Sequence, residues 1–190
     1  AIKINSEYIE AHYNLGCVLD KVGRIENAML HYKKVLNYNS DHFNAQHNLA
    51  RDQLAMDDFK NGWIGHEQRT GGINNVYKSL GIQLNNVWDG SKVDGPLVVL
   101  NEQGIGDEIL YSSIFRDLEK YHSNLIITAD NRLIPLMQRS FPKVKFIDQQ
   151  DRDKINNNIS SNHKHIFAGS LGKIFRNSLD DFKNNKNPWL

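Results

Sequence analysis

Between Glu102 and Glu108 the chain reads Glu-Gln-Gly-Ile-Gly-Asp-Glu, its densest set of groups able to do chemistry. Two glycines one residue apart open the backbone to close approach, and carboxylates and an amide surround them. A carboxylate held in a cleft accepts a proton from a substrate hydroxyl. At a helix start the same group caps an orphan N–H. Asp107 is therefore a candidate catalytic base and equally a candidate cap. Glu102, Gln103, Gly104 and Gly106 are candidate substrate-binding residues. Ile109 stands where a dinucleotide fingerprint needs its third glycine, and no Gly-Lys-Ser/Thr follows, so the loop is neither that fingerprint nor a P-loop. On spacing alone, ligand binding and a plain turn with unusual glycine angles stand level.

A second stretch, Ala168-Gly169-Ser170-Leu171-Gly172, nearly matches the nucleophile elbow of serine hydrolases. That chemistry needs an acid and a histidine later in the chain. Asp180 and Asp181 follow, but no histidine does. Ser170 is kept as a candidate substrate-binding residue. The eight histidines form no ligand pattern, since His163 and His165 flank Lys164 and His42 and His47 lie five apart. No metal site is expected.

These residues need elements to hold them. Leu97 to Asn101 is an apolar run suited to a buried strand, and Asp107 to Tyr121 carries a helical stripe of Leu110, Ile114, Leu118 and Tyr121. Strands follow at Leu125 to Ala129, Val144 to Ile147 and His165 to Ala168, with helices at Arg132 to Ser140 and Leu171 to Arg176. The polar, asparagine-rich stretch from Asp151 to Lys164 reads as a loop. Alternating strands and helices predict a parallel α/β sheet of about four strands. The glycine loop then leaves the C-terminal edge of a strand and opens a helix, a place that suits anionic or hydroxyl-rich ligands.

The first third is different. A shift of 34 residues aligns Ser6 with Ser40, Ala11 with Ala45, Asn14 with Asn48 and Leu15 with Leu49. That is the period of tetratricopeptide helical hairpins. One good unit has helices over Tyr8 to Val22 and Ile25 to Asn37, with Gly16 and Ala28 allowing close approach and Leu15, Leu19 and Tyr32 filling the seam. Ala1 to Ser6 reads as the tail of an earlier unit. A degenerate closing unit has helices over His42 to Met56 and Phe59 to Arg69, with Gly62-Trp63 at odds with the pattern. Asn14 and Asn48 recur on the inner helix, where they are weak candidates for binding an extended peptide. The expected domains are repeats over 1–69, a linker over 70–95 that Gly71-Gly72 opens, and an α/β lobe over 96–190.

Composition limits the partners. Lys and Arg number 23 against 22 Asp and Glu, a net charge of +1 that gives no footprint for nucleic acid or an anionic membrane. One cysteine, Cys17, rules out an internal disulfide and a cysteine-based zinc site, and it fits a reducing, cytoplasmic setting. No apolar run approaches a membrane span, and no signal segment opens the chain. The chain starts without Met and partway through a repeat, so it reads as a fragment.

Gly62-Trp63 followed by Glu67 and Arg69, then Trp88-Asp89-Gly90, an apolar strand, Glu-Gln-Gly-x-Gly-Asp over Glu102 to Asp107, Arg139-Ser140-Phe141-Pro142 and Ser170-Leu171 form a set. With it, the chain resembles bacterial proteins in which tetratricopeptide repeats are fused to a glycosyltransferase domain of GT-B type, similar to the heptosyltransferases. The resemblance implies the repeat tail and N-terminal Rossmann-like lobe of a nucleotide-sugar-dependent transferase, with Asp107 beside a sugar acceptor's hydroxyl. It also implies a donor pocket in a C-terminal lobe absent here, no other cofactor, and a fragment inactive alone. The alternative is an adaptor whose repeats bind a protein or peptide beside a non-catalytic α/β domain.

Overall fold

In a computed structural model, the chain is described at residues 8–158 and 163–183, together with residues 2 and 5. It divides into two compact units, Ala1–Gly81 and Ile82–Leu190.

The first unit is helical. The helices α1 (Ile9–Lys21), α2 (Ile25–Tyr38), α3 (Phe43–Ala55) and α4 (Phe59–His66) form two consecutive hairpins. Gly23 turns the first hairpin with φ +76°, where it meets no side-chain crowding. Asp58 caps α4 by accepting the Asn61 N–H at 3.4 Å. Small residues set the spacing. A Cβ on Gly16 would lie 2.7 Å from the Tyr32 ring, and one on Gly62 would lie 2.6 Å from Leu54. Ala28, Tyr32 and Val35 of α2 form one buried core with Ala45 of α3, with Leu19 and Leu49 packed against it. Leu15 does not fill the seam as expected, because its side chain is 37% exposed.

The expected linker over 70–95 is folded. A 3-10 turn (Arg69–Gly71) and a helix α5 (Ile73–Ser79) complete the first unit, burying Ile73 and Tyr77. Gly81 has φ +72°, and the division of the chain falls directly after it. Trp88, also placed in the linker, is 1% exposed and lies in the core of the second unit. Its indole N–H donates to the Ser91 carbonyl at 2.7 Å. Polar composition hid these elements, because only a few buried apolar residues, Ile73, Tyr77 and Trp88 among them, anchor them.

The second unit is a four-stranded sheet in which every pairing is parallel, so the molecule is α plus α/β. The strands are β1 (Leu97–Leu100), β2 (Leu125–Ala129), β3 (Lys145–Asp148) and β4 (Lys164–Phe167), in the order β3-β2-β1-β4. On one face Leu97, Val99, Leu125, Ile127 and Ile166 pack under α6 (Ile105–Ser112), α7 (Phe115–Tyr121) and α8 (Ile134–Ser140), with Tyr111, Phe115, Leu118, Met137 and Phe141 supplying the helix side. β1 and β2 are buried throughout, as strands of a parallel sheet covered on both faces are.

Two readings need correction. The helix expected over 107–121 is two helices, because Ser112 and Ser113 interrupt it. Ser112 Oγ bonds the Ile109 carbonyl at 2.7 Å, and the Ser113 carbonyl accepts from Arg176 Nη2 at 3.2 Å instead of continuing the ladder. The expected loop after Asp151 contains α9 (Arg152–Asn158), begun by Asp151 Oδ1 accepting the Lys154 N–H at 3.0 Å and anchored by buried Ile155. Beyond β4 come a 3-10 turn (Ala168–Ser170), α10 (Gly172–Phe175) and α11 (Leu179–Lys183). The segment 184–190 lies outside the described residues.

Candidate functional site

The strand order places the glycine loop. From β1 the chain winds outward to β2 and β3, then returns to lay β4 on the other side of β1. The winding direction reverses between β1 and β4, and at such a point the loops leaving neighbouring strands open a crevice at the carboxyl edge. The loop after β1 is residues 101–104, and the turn after β4 is Ala168–Ser170. They meet there, with Glu102 Oε1 accepting the Gly169 N–H at 3.2 Å. Glu102, Gly104, Gly106, Asp107 and Ser170 are thus gathered along one edge.

Gly104 is the N-cap of α6, in extended geometry at φ −79°, ψ 171°. Neither Gly104 nor Gly106 has positive φ. A Cβ on Gly106 would meet nothing within 4 Å, and one on Gly104 would meet Asp107 Oδ2 at 3.8 Å, an ordinary contact. Both residues are exposed. Turn geometry therefore does not demand these glycines. What they provide is bare backbone beside the first N–H groups of α6, which have no acceptor within the helix.

Asp107 is the third residue of α6, and its Oδ2 accepts the Gly104 N–H at 3.2 Å. This is half of a capping box, since Gly104 has no side chain with which to return the bond. The capping role of Asp107 is realised, and its side chain remains half-buried at the crevice. Gln103 Oε1 accepts from the Tyr111 hydroxyl at 3.0 Å, which ties the loop to the body of α6. Ser170 is 2% exposed, so it belongs to the floor of this edge.

Glu108 was named in the motif but given no role. It is almost fully buried, and its Oε2 accepts the Asp130 N–H at 2.9 Å, which pins the first turn of α6 to the end of β2. Burial pushes its carboxyl upward, against the Asp130 N–H bond that lowers it. Asp130 in turn is clasped by Arg132 through Nε and Nη2, both at 2.8 Å, and these hydrogen bonds hold it down to about 2. The signal for Glu108 was helical phase, because it shares the buried stripe of α6 with Tyr111 and Ser112.

In the helical unit the paired asparagines differ. Asn14 is exposed. The Asn48 amide is half-buried and donates toward the Tyr32 hydroxyl at 3.4 Å and the Tyr13 hydroxyl at 3.5 Å. A hollow of about 460 Å³ lies on the same unit, lined by His42, Phe43, Asn44, His47, Gln68 and Gly71. Among the described residues no three His, Cys, Asp or Glu gather closely enough to hold a metal ion, and no helix is long and apolar enough to cross a membrane.

No protein-family model matches the chain. Among curated proteins it is similar to Protein FlbA of Caulobacter vibrioides, at 26% identity over 153 residues. That similarity covers 76% of this chain and 25% of the relative, so the chain spans about a quarter of the length of the protein it matches.

Proposed function

We propose that this chain is the tetratricopeptide tail and acceptor-side, Rossmann-like lobe of a nucleotide-sugar-dependent glycosyltransferase of GT-B type. The observation that carries the reading is the pair of exposed glycines at the reversal between β1 and β4, which no backbone angle requires. In this reading the acceptor lies in the crevice against Gly104 and Gly106. Asp107 takes the proton of the acceptor hydroxyl while that oxygen bonds to the anomeric carbon. The bond from that carbon to the nucleotide diphosphate breaks with its electron pair, and the anomeric configuration inverts. Glu102 and Gln103 hold the loop in place through Gly169 and Tyr111. Donor binding is assigned to no residue of this chain. A cytoplasmic setting belongs to the same reading, on the strength of one unpaired cysteine, Cys17.

The test is Asp107→Asn in the longer protein, assayed for sugar transfer. An amide oxygen still accepts the Gly104 N–H, so the cap survives while the base is lost. Transfer should fall by about 10²-fold or more, with nucleotide binding and thermal midpoint unchanged. Unchanged turnover would remove Asp107 from the mechanism.

The hollow beside Phe43, a residue 46% exposed, favours a second reading as an adaptor that binds peptides. Under that reading, saturable peptide binding to the chain is lost on Phe43→Ala. The transferase reading needs no such binding.

A further inference from the structure

The buried stripe of α6 carries a residue that packing alone does not favour. Its buried members are Glu108, Tyr111 and Ser112, and Glu108 is 1% exposed. A carboxyl in such a stripe loses its hydration. Its Oε2 accepts the Asp130 N–H at 2.9 Å, yet burial outweighs that bond, because the carboxyl is still pushed up from its ordinary 4.5. The unfolded chain ionises this group more easily than the folded one, so at neutral pH its charge weakens the fold. A leucine there would carry no such penalty. The use of Glu108 has to be sought in what it holds.

The first turn of α6 closes on itself. The Asp107 and Glu108 N–H groups donate to the Gly104 carbonyl at 3.0 and 3.1 Å, and Asp107 Oδ2 accepts the Gly104 N–H at 3.2 Å. None of these bonds reaches the sheet. Asn101 and Glu108 make bonds that do. Ahead of the loop, the Asn101 N–H donates to Thr128 Oγ1 at 2.8 Å, and the Asn101 side-chain amide donates to the Thr128 carbonyl. Behind it, Glu108 takes the Asp130 N–H. The two ends of the glycine loop are thus fastened to Thr128 and Asp130, two residues apart at the carboxyl end of β2. Gly104, Gly106 and Asp107 lie between these fastenings, and Glu102 ties the loop also to Gly169.

We propose that Glu108 is a positioning residue of the site, whose hydrogen bond to the Asp130 N–H fixes the turn that presents Asp107 and the Gly104–Gly106 backbone. It touches no substrate, and it acts through Asp107, so the proposal rests on the reading of Asp107 as the base. Stability is given up at this position to hold a neighbouring group still. The role requires an acceptor at the right reach and does not require charge. Glu108→Gln supplies an amide oxygen at the same reach, Glu108→Asp keeps the charge one methylene short, and Glu108→Leu supplies neither.

The test makes these three variants in the longer protein beside Asp107→Asn, and measures sugar transfer and thermal melting of each. Glu108→Asp and Glu108→Leu should lower kcat by about tenfold or more, with the donor KM unchanged. Their midpoints should stay within about 5 °C of the parent. Glu108→Gln should restore transfer to within about threefold of the parent. Glu108→Asp carries the same test should Glu108→Leu not fold. Nitrogen-15 relaxation of the present chain gives a reading free of activity. Order parameters over residues 104–108 should drop from about 0.85 to about 0.6 in Glu108→Leu and hold in Glu108→Gln, with β1 and β2 unchanged in both. With Asp107→Asn inactive, the proposal is overturned by an active Glu108→Asp, an inactive Glu108→Gln, unchanged order parameters in Glu108→Leu, or losses of transfer that follow the midpoint. Full transfer by Asp107→Asn removes the base itself, and the positioning role with it.

Discussion

Asp107 caps α6, the proposed mechanism also makes it the base, and substitutions separate the two. Asp107→Ala removes the acceptor for the Gly104 N–H and should cost about 1 kcal/mol of stability, whereas Asp107→Asn should cost little. Chemical denaturation of the pair checks this. Asp52 offers a pH test of a different kind. Arg51 Nη2 reaches both Asp20 of α1 and Asp52 of α3, the latter at 3.5 Å, and the Asp52 side chain is buried. Burial, then the Asp20 carboxylate, raises Asp52 from 3.8 to about 6. The folded chain keeps this proton in a range where the unfolded chain has lost it. The stabilisation is therefore complete below about pH 4 and is lost as pH rises through 6, a span worth about 3 kcal/mol at most. Asp52→Asn should be more stable than the parent at pH 7.5 and equal to it near pH 4, as thermal melts at the two pH values will show. His66 of α4 works in the opposite sense. Burial lowers it from 6.5 to about 3, so its neutral form supports the fold above pH 6.5 and that support fades as pH falls. Comparing Asp52→Asn with its parent cancels the histidine term.

Helices and strands were legible where burial is continuous and obscure where it is sparse. The apolar runs of β1 and β2 announce strands covered on both faces, and the 34-residue offset fixes α1 to α4 within a residue or two, apart from the last turn of α4. α9 and α5 were missed because each rests on one or two buried residues, Ile155 for the first, Ile73 and Tyr77 for the second. The break between α6 and α7 depends on Arg176, far along the chain, taking the Ser113 carbonyl, a partner no local pattern discloses. The candidate site was half legible. Spacing and resemblance picked out the loop, but the reversal beside β4 and the pinning of Glu108 to Asp130 are properties of the assembled sheet. Close helix approach gives a prediction for the hairpins. Gly62→Ala places a Cβ 2.6 Å from Leu54 Cγ and 3.0 Å from the Leu54 backbone nitrogen, so α3 and α4 must separate. A loss of about 1–3 kcal/mol is expected on denaturation.

Each of the two compact units has a buried core among the described residues. The helical core centres on Tyr32 and Val35, and the sheet core extends from Val99 to Phe141 and includes Trp88. Trp88 packs against Tyr121 and Phe175, with ring centroids 5.9 and 6.1 Å apart. Trp88→Ala should therefore destabilise the sheet unit by about 3–5 kcal/mol. Hydrogen exchange resolved along the chain should show the loss in β1 to β4 and little change in α1 to α4.

The Glu102–Gly169 hydrogen bond joins residues 67 apart in sequence, and the Lys164 Nζ bond to the Asn85 carbonyl joins residues 79 apart. On the ribosome, at roughly 5–20 residues per second, the helical hairpins can close soon after they emerge, since each pairs neighbours in sequence. β1 must wait for β4, and for those seconds one of its edges is unpaired and able to join a neighbouring nascent chain. Chains released early, before Lys164, would carry folded hairpins on a sheet with that edge bare. Aggregation of prematurely terminated products should begin at β1, and a chaperone that holds extended apolar segments would be needed for just that interval.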